Sequence, residues 1–338
     1  MHYILRSFCL TALSLVTLFP PWSSATATLR VTPASLPLTP SERSWPSLYQ
    51  MVDWELQHTL ETRLHRNPLW SSLLRKQKMA VGVVDLTHPA HPRFVRLNGN
   101  SMMYAASLPK IAVLLAAVQA MEDGRLPETP AIMADLHHMI RYSNNDATTR
   151  IIERLGFRTI AAVLTAPSYQ LFDMHRGGGL WVGKTYAKQG KRYPDPLQGL
   201  SHAATVTQVC RFYYMLVTGR LIGPERSAQM LTIMANPGLN HKFVAALADK
   251  VPKTRLFRKS GTWQTWHADS VLVWSDHWRR YILVALVHDA HGEQILRNLV
   301  PAVEEVLRPR PLRSLRQETF DLRGQSLVID GGVLAEDI

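Results

Sequence analysis

Segments with the apolar, β-branched character of buried strands lie toward the two ends of the chain, and the long stretch between them reads as helix and loop. Near the start, Lys78 to Leu86 is an apolar run, Thr87-His88-Pro89-Ala90-His91-Pro92 breaks it, and Arg93 to Leu97 alternates. That pattern predicts a hairpin. Near the end, Asp269 to Trp274 and Tyr281 to His288 read as two strands joined by a polar turn at Ser275-Asp276. A helix beginning after Ser47 would carry Leu48, Val52, Leu56, Leu60 and Leu64 on roughly one side, and a last amphipathic helix carries Ile295, Leu299, Val303 and Val306. Strands so far apart in sequence can share one antiparallel sheet, with the first and last helices against it and the middle block forming a lobe of its own. The predicted fold class is therefore α+β, an α/β sandwich. A ligand site is expected in the cleft between sheet and lobe.

The middle block supports this reading. A strong helix runs from Leu108 to Met121 and closes at Asp123-Gly124. Helical patterns follow at about 131–141, 145–155, 206–218 and 224–234. Residues 166 to 200 are loop-like, with Gly177-Gly178-Gly179 and Tyr193-Pro194-Asp195-Pro196.

The ends of the chain differ in character. Residues 1–27 carry one charge, Arg6, then an apolar stretch from Phe8 to Leu18 and the small-x-small sequence Ala25-Thr26-Ala27. These are the features of a cleaved secretory signal, with an apolar run too short to span a membrane. Export to the periplasm or the extracellular space is expected. Residues 28–46, rich in Pro, Ser and Thr, read as a linker, 47–310 as the main folded domain, and 311–338 as a tail of unassigned structure. Of the two cysteines only Cys210 would remain after export, and its apolar helical neighbours make it a core residue. The net charge of +12 is spread along the chain with no basic run interleaved with aromatics, so nucleic acid is not the expected partner. His137-His138 and His88/His91 form no tetrahedral ligand set, and no metal is expected.

Three short motifs carry chemistry. Ser107-Leu108-Pro109-Lys110 opens the strong helix, so Ser107 and Lys110 lie one turn apart on one face. By itself a Ser-x-x-Lys match is expected about once in a chain of this length, and Ser107 alone would read as a helix cap. Ser143-Asn144-Asn145 precedes a helix, and alone it too reads as a polar cap. Lys259-Ser260-Gly261-Thr262 comes directly before an apparent strand, where Gly permits close approach of backbone and ligand.

In this order the three motifs resemble the Ser-x-x-Lys, Ser-Asp-Asn and Lys-Thr-Gly set of class A β-lactamases and penicillin-binding proteins, including DD-peptidases. The resemblance runs from about Met79 to Leu307, and Tyr142 before Ser143 extends it. It implies a β-lactamase/transpeptidase-like fold with a reduced helical lobe, since Ser107 and Ser143 are only 36 positions apart. The function it implies is that of an exported β-lactamase-like serine hydrolase acting through a Ser107 acyl-enzyme, with a D-Ala-D-Ala peptidase of peptidoglycan or a non-catalytic penicillin-binding module as alternatives. Lys110, neutral when it acts, would be the base, and Ser143 would relay a proton to the leaving nitrogen. Asn145 would hold the substrate amide. Lys259, Ser260 and Thr262 would bind its carboxylate, while the N–H groups of Ser107 and Thr262 would form the oxyanion hole. The substrate would be a small molecule or a cell-wall peptide, taken by a monomer without cofactor or metal. Asn144 stands where the family has Asp, and Ser260 where it has Thr. No Glu occurs between Glu153 and Glu225 to activate the deacylating water. Asp173, Asp195 and His202 are the candidates left for that task.

Overall fold

The computed structural model describes residues 47–248 and 254–309, with the backbone of Thr319–Phe320 and Ser326–Leu327. The expected signal, the linker and most of the 311–338 tail lie outside these residues. Within the tail, Thr319–Phe320 pairs antiparallel with Ser326–Leu327.

Five strands form one antiparallel sheet: β1 (Met79–Asp85), β2 (Arg93–Leu97), β3 (Arg255–Trp263), β4 (Trp266–Trp274) and β5 (Arg280–His288), in the order β2-β1-β5-β4-β3. The predicted hairpin is β1 and β2. The distant pairing joins β1 to β5, from Met79 opposite Val287 to Asp85 opposite Tyr281. Alternation along β1 sends Val81 and Val83 to one face and Ala80 and Val84 to the other. On the first face they meet Leu56, Leu60 and Leu64 of α1 (Trp54–His65), Trp70 and Leu74 of α2 (Pro68–Arg75), and Leu299 and Val303 of α10 (Gly292–Leu307). Burying each such aliphatic side chain stabilises the fold by roughly 1.5–3 kcal/mol.

The other face packs on the helical lobe: α3 (Lys110–Glu122), α4 (Pro130–Arg141), α5 (Asn145–Leu155), α6 (Phe157–Thr165), α7 (Val206–Val217) and α8 (Pro224–Met234). A short α9 (Phe243–Leu247) precedes β3. Helix α3 is apolar all round and buried on nearly every side, as its sequence requires. Helix α7 lies directly on β1 because Gly82 has no side chain. A Cβ there would sit 2.8 Å from the Cys210 sulfur. Cys210 is thus a buried core thiol, as expected.

Several elements differ from expectation. The first predicted helix is split. Leu48–Met51 is a 3-10 turn, Val52 is extended and bridges Phe94, and Asp53 starts α1 by accepting the Leu56 N–H at 2.9 Å. Helices α2, α6 and α9 were not foreseen. Lys259-Ser260-Gly261-Thr262 does not precede a strand but lies within β3. The 166–200 loop contains short pairings, Phe172–Asp173 with Gly178–Gly179 and Trp181–Val182 with His202–Ala204. His202–Ala204 also pairs with Met103–Tyr104, which brings the loop's end beside the chain leading to Ser107.

Candidate active site

The three motifs converge at one end of the sheet. Ser107, Asn145 and Thr262 line a cleft of about 820 Å³, bounded also by Tyr186 and His202 and by Trp263 and Trp266. Lys110, Lys259 and Ser260 lie just behind that surface, each at most 4 % exposed.

Ser107 is not a helix cap. The helix N-cap is Pro109, and no side chain caps α3. Among the described residues the Ser107 hydroxyl has no hydrogen-bond partner, and its N–H donates to no backbone carbonyl. Ala106 before it holds φ +50°, a left-handed conformation that is costly for a residue with a Cβ and that recurs at functional sites. Tyr186 braces this turn by donating its hydroxyl to the Ala106 carbonyl at 3.1 Å.

Nor does Ser143 act as the cap of α5. Asn144 does so, accepting the Ala147 N–H at 2.8 Å. Asn caps as well as Asp, which accounts for its presence in the middle of this motif. With the cap supplied by its neighbour, Ser143 (φ +57°) presents its hydroxyl to the two lysines. Lys259 Nζ donates to Ser143 Oγ at 2.9 Å, and Lys110 Nζ is 3.5 Å from the same oxygen. The shorter bonds of Lys110 run to the Ser143 carbonyl at 2.6 Å and to Asn145 Oδ1 at 2.8 Å. Lys110 therefore contacts the second motif, and no hydrogen bond to the Ser107 hydroxyl forms.

Burial lowers the Lys110 pKa from its ordinary value to about 7. Burial, then repulsion from Lys110, pushes Lys259 well below the usual lysine range. A neutral lysine has two N–H donors and one lone pair. Lys110 has two close acceptors, which leaves that lone pair free to take a proton.

Strand β3 is held against the Ser107 turn. A Cβ on Gly261 would lie 2.2 Å from the Ala105 carbonyl oxygen and 2.7 Å from the Ser107 nitrogen, so only glycine fits. Behind the strand is Lys242, which sequence reasoning missed. It is fully buried and donates to the Gly261 carbonyl at 2.6 Å and to Thr262 Oγ1 at 2.7 Å. Burial lowers its pKa to about 8. Only the fold carries this loop lysine under the strand, and no local pattern marks it. The same layer contains the ion pair of Arg258 with Asp269, 2.7 Å and fully buried.

The three candidates for activating water fare differently. Asp195 is 3 % exposed, and its carboxylate accepts the N–H groups of Leu197, Gln198 and Leu200, so it pins a turn. Asp173 accepts the His175 N–H and pairs with Arg176, and it does not line the cleft. His202 does line it. One ring nitrogen faces the Lys184 carbonyl at 3.1 Å, a contact that requires a proton on Nε2, and Nδ1 meets Ser201 Oγ at 3.1 Å. Burial lowers its pKa to about 4, so the ring is neutral and weakly basic.

A second depression of about 910 Å³, bordered by Asp53, His88, His91 and Arg308, contains none of these groups. His88, His91 and His138 are exposed, while His137 is half-buried, and burial lowers its pKa.

Comparison with known proteins bears on the fold and the family. The model of the beta-lactamase enzyme family matches residues 133–304, slightly more than half of the chain and beginning after Ser107. No curated protein sequence matches. Among solved structures, the β-lactamase of Sphaerobacter thermophilus superposes with a TM-score of 0.58 at 16% identity, over 77% of this chain and 99% of that one. PBP-A gives 0.55 at 16%, over 80% and 98%. A β-lactamase of Xanthomonas campestris pv. campestris gives 0.58 at 13%, over 75% and 99%. At these identities the superpositions speak to the fold, an α+β sheet-and-helix architecture of the β-lactamase/transpeptidase kind. With the family match over most of α4, α5 to α9, strands β3 to β5 and most of α10, they establish that the chain belongs to the β-lactamase enzyme family.

Proposed function

We propose that this protein is an exported, monomeric serine hydrolase that opens an amide or β-lactam through a Ser107 acyl-enzyme and turns it over slowly. The observation that carries this reading is Ser143, whose hydroxyl lies between two buried lysines of lowered pKa, together with Ser107, which lines the cleft with its hydroxyl unbonded among the described residues. Neutral Lys110 would take the Ser107 proton as the oxygen attacks the carbonyl carbon. The carbonyl oxygen would become an oxyanion between the N–H groups of Ser107 and Thr262. Such donors contribute a few kcal/mol each. As the C–N bond breaks, the proton would pass through the Ser143 hydroxyl, resupplied from the lysine side, to the leaving nitrogen. Asn145 would orient the substrate amide. Lys259, Ser260 and Thr262, with Lys242 behind them, would favour a substrate carboxylate.

The acyl-enzyme must then be attacked by water, and here the site is poorer. No acidic side chain lines the cleft among the described residues. The Tyr186 ring covers Lys110, its centroid 4.3 Å from Nζ, and His202 has both nitrogens engaged. This favours a second reading, a D-Ala-D-Ala peptidase inhibited by β-lactams, over an efficient β-lactamase. PBP-A, similar in fold, has been captured in a mutant form as an acyl-enzyme with penicillin G. Intact-mass spectrometry after mixing with benzylpenicillin tests the proposal. An adduct on Ser107 that persists for minutes supports it, rapid multiple turnover without an adduct points to an efficient β-lactamase, and no reaction at all leaves the non-catalytic module.

A further inference from the structure

The loop at the edge of the cleft carries four cations, Lys184, Lys188, Lys191 and Arg192. Lys184, Lys188 and Arg192 all line the cavity that contains Ser107. The loop folds back on itself so that Lys184 bridges Arg192 through the backbone, with the Tyr193 N–H on the Gly183 carbonyl at 2.7 Å. Elsewhere several arginines find acids: Arg93 with Asp85, Arg150 with Asp135, Arg226 with Glu122, Arg279 with Glu304. Among the described residues none of the three cavity-lining cations has a carboxylate partner. The one side-chain bond they make is from Lys184 Nζ to the Lys188 carbonyl at 3.2 Å. Unpaired like charges around a concave site with low-dielectric walls raise the local concentration of anions. The field also reaches into the cleft: after burial, Lys184 and Arg192 are among the groups that hold His202 neutral.

From this arrangement we infer that the enzyme selects acyl donors bearing a second anionic group on the acyl side chain, received by Lys184, Lys188 and Arg192. This rests on the function proposed above. There the carboxylate common to β-lactams and D-Ala-D-Ala peptides lies toward β3, at one end of the scissile bond. The acyl side chain extends from the other end, across the cleft toward the loop. An additional carboxylate there replaces solvent as the counter-charge of the three cations. The indoles of Trp263 and Trp266 line the same cavity and offer apolar surface to the remainder of the side chain.

The test compares two penicillins that differ by one carboxylate, benzylpenicillin and α-carboxybenzylpenicillin. Stopped-flow acylation of Ser107 at low salt should favour the dianion on the order of tenfold in second-order rate. That ratio should fall toward one in 1 M salt, where the screening length is about 3 Å. The triple variant Lys184→Gln, Lys188→Gln, Arg192→Gln should bring it to about one in low salt. Should that protein fold poorly, the single exposed variants Lys188→Gln and Arg192→Gln should each lower the ratio part of the way. Calorimetric binding of both compounds to Ser107→Ala gives the same comparison without chemistry. A wild-type ratio at or below one, or a preference the charge-removing variants leave intact, overturns the inference. If benzylpenicillin forms no adduct, the proposed function is what fails, and the binding ratio on Ser107→Ala still decides the inference.

Discussion

The two sides of the cleft are made of similar residue types and are bonded in opposite ways. Toward Ser143, the polar groups have capacity to spare. The Ser107 hydroxyl has no partner among the described residues, Ser143 is shared by two lysines, and Lys110 retains a lone pair once neutral. Toward the 183–202 loop, every candidate base is already engaged. Asp195 accepts three backbone N–H groups, and His202 has a partner on each nitrogen. Which side can move a proton is decided by unused hydrogen-bonding capacity, and residue type alone does not reveal it.

The sharpest way to break this contrast is at Ser107. Ser107→Ala should abolish labelling by a fluorescent penicillin, read on a gel and by intact mass. Surviving label would move the nucleophile elsewhere. Next, Lys110→Met should slow acylation by about 10²–10⁴-fold, the usual worth of a general base. In the unaltered protein the acylation rate should climb as pH rises through about 7, where Lys110 gives up its proton. A flat profile between pH 6 and 8 would mean that Lys110 is not the base.

The engaged side predicts a different signature. Asp195→Asn should cost about 1–3 kcal/mol of stability in urea unfolding, since it weakens the buried acceptor of three turn N–H groups. It should leave the decay of the penicillin adduct within about twofold. His202→Ala should likewise fail to prolong the adduct. An adduct trapped by either change would identify a working base on the side described here as closed.

A last effect is on stability against pH. The pKa of Lys110 is about 7 in the folded chain and 10.5 when exposed. Between those values the unfolded chain binds the additional proton, so this group makes stability rise with pH, by up to about 1.4 kcal/mol per pH unit. Below pH 7 both states are protonated and the contribution is constant. Lys110→Met should remove that part of the slope, measured by denaturant unfolding at pH 7 and 9. Lys242 and Lys259 shift in the same sense, so part of the slope should persist.

Where the chain obeys simple periodicity, the sequence was readable. Helices α3, α4, α5, α7, α8 and α10, the hairpin and strands β4 and β5 were legible to within a few residues. Strand β3 was not. Arg258, Lys259, Ser260 and Gly261 replace the alternation that marks a half-buried strand, because those positions hold the ion pair to Asp269, the bond to Ser143 and the close approach to Ser107. At the site, the motifs indicated which residues would meet. They did not show that Asn144 would do the capping, that Lys110 would bond the second motif and not Ser107, or that Lys242 would brace Thr262. Those depend on contacts between segments that are far apart in the chain.

Helix α3 has almost no solvent face, and this restricts how such a protein can change over time. Ser107 enters a helix whose residues from Lys110 to Val118 are all buried, so it cannot be rolled or slid without remaking the interior on every side. New preferences cannot readily arise by re-aiming the nucleophile. They must accumulate at the exposed positions of the rim, such as Lys188, Arg192 and Trp263, which meet water. A lineage descended from this chain would then keep its reacting end fixed and diversify at the rim, and its members would differ more in what they admit than in how they react.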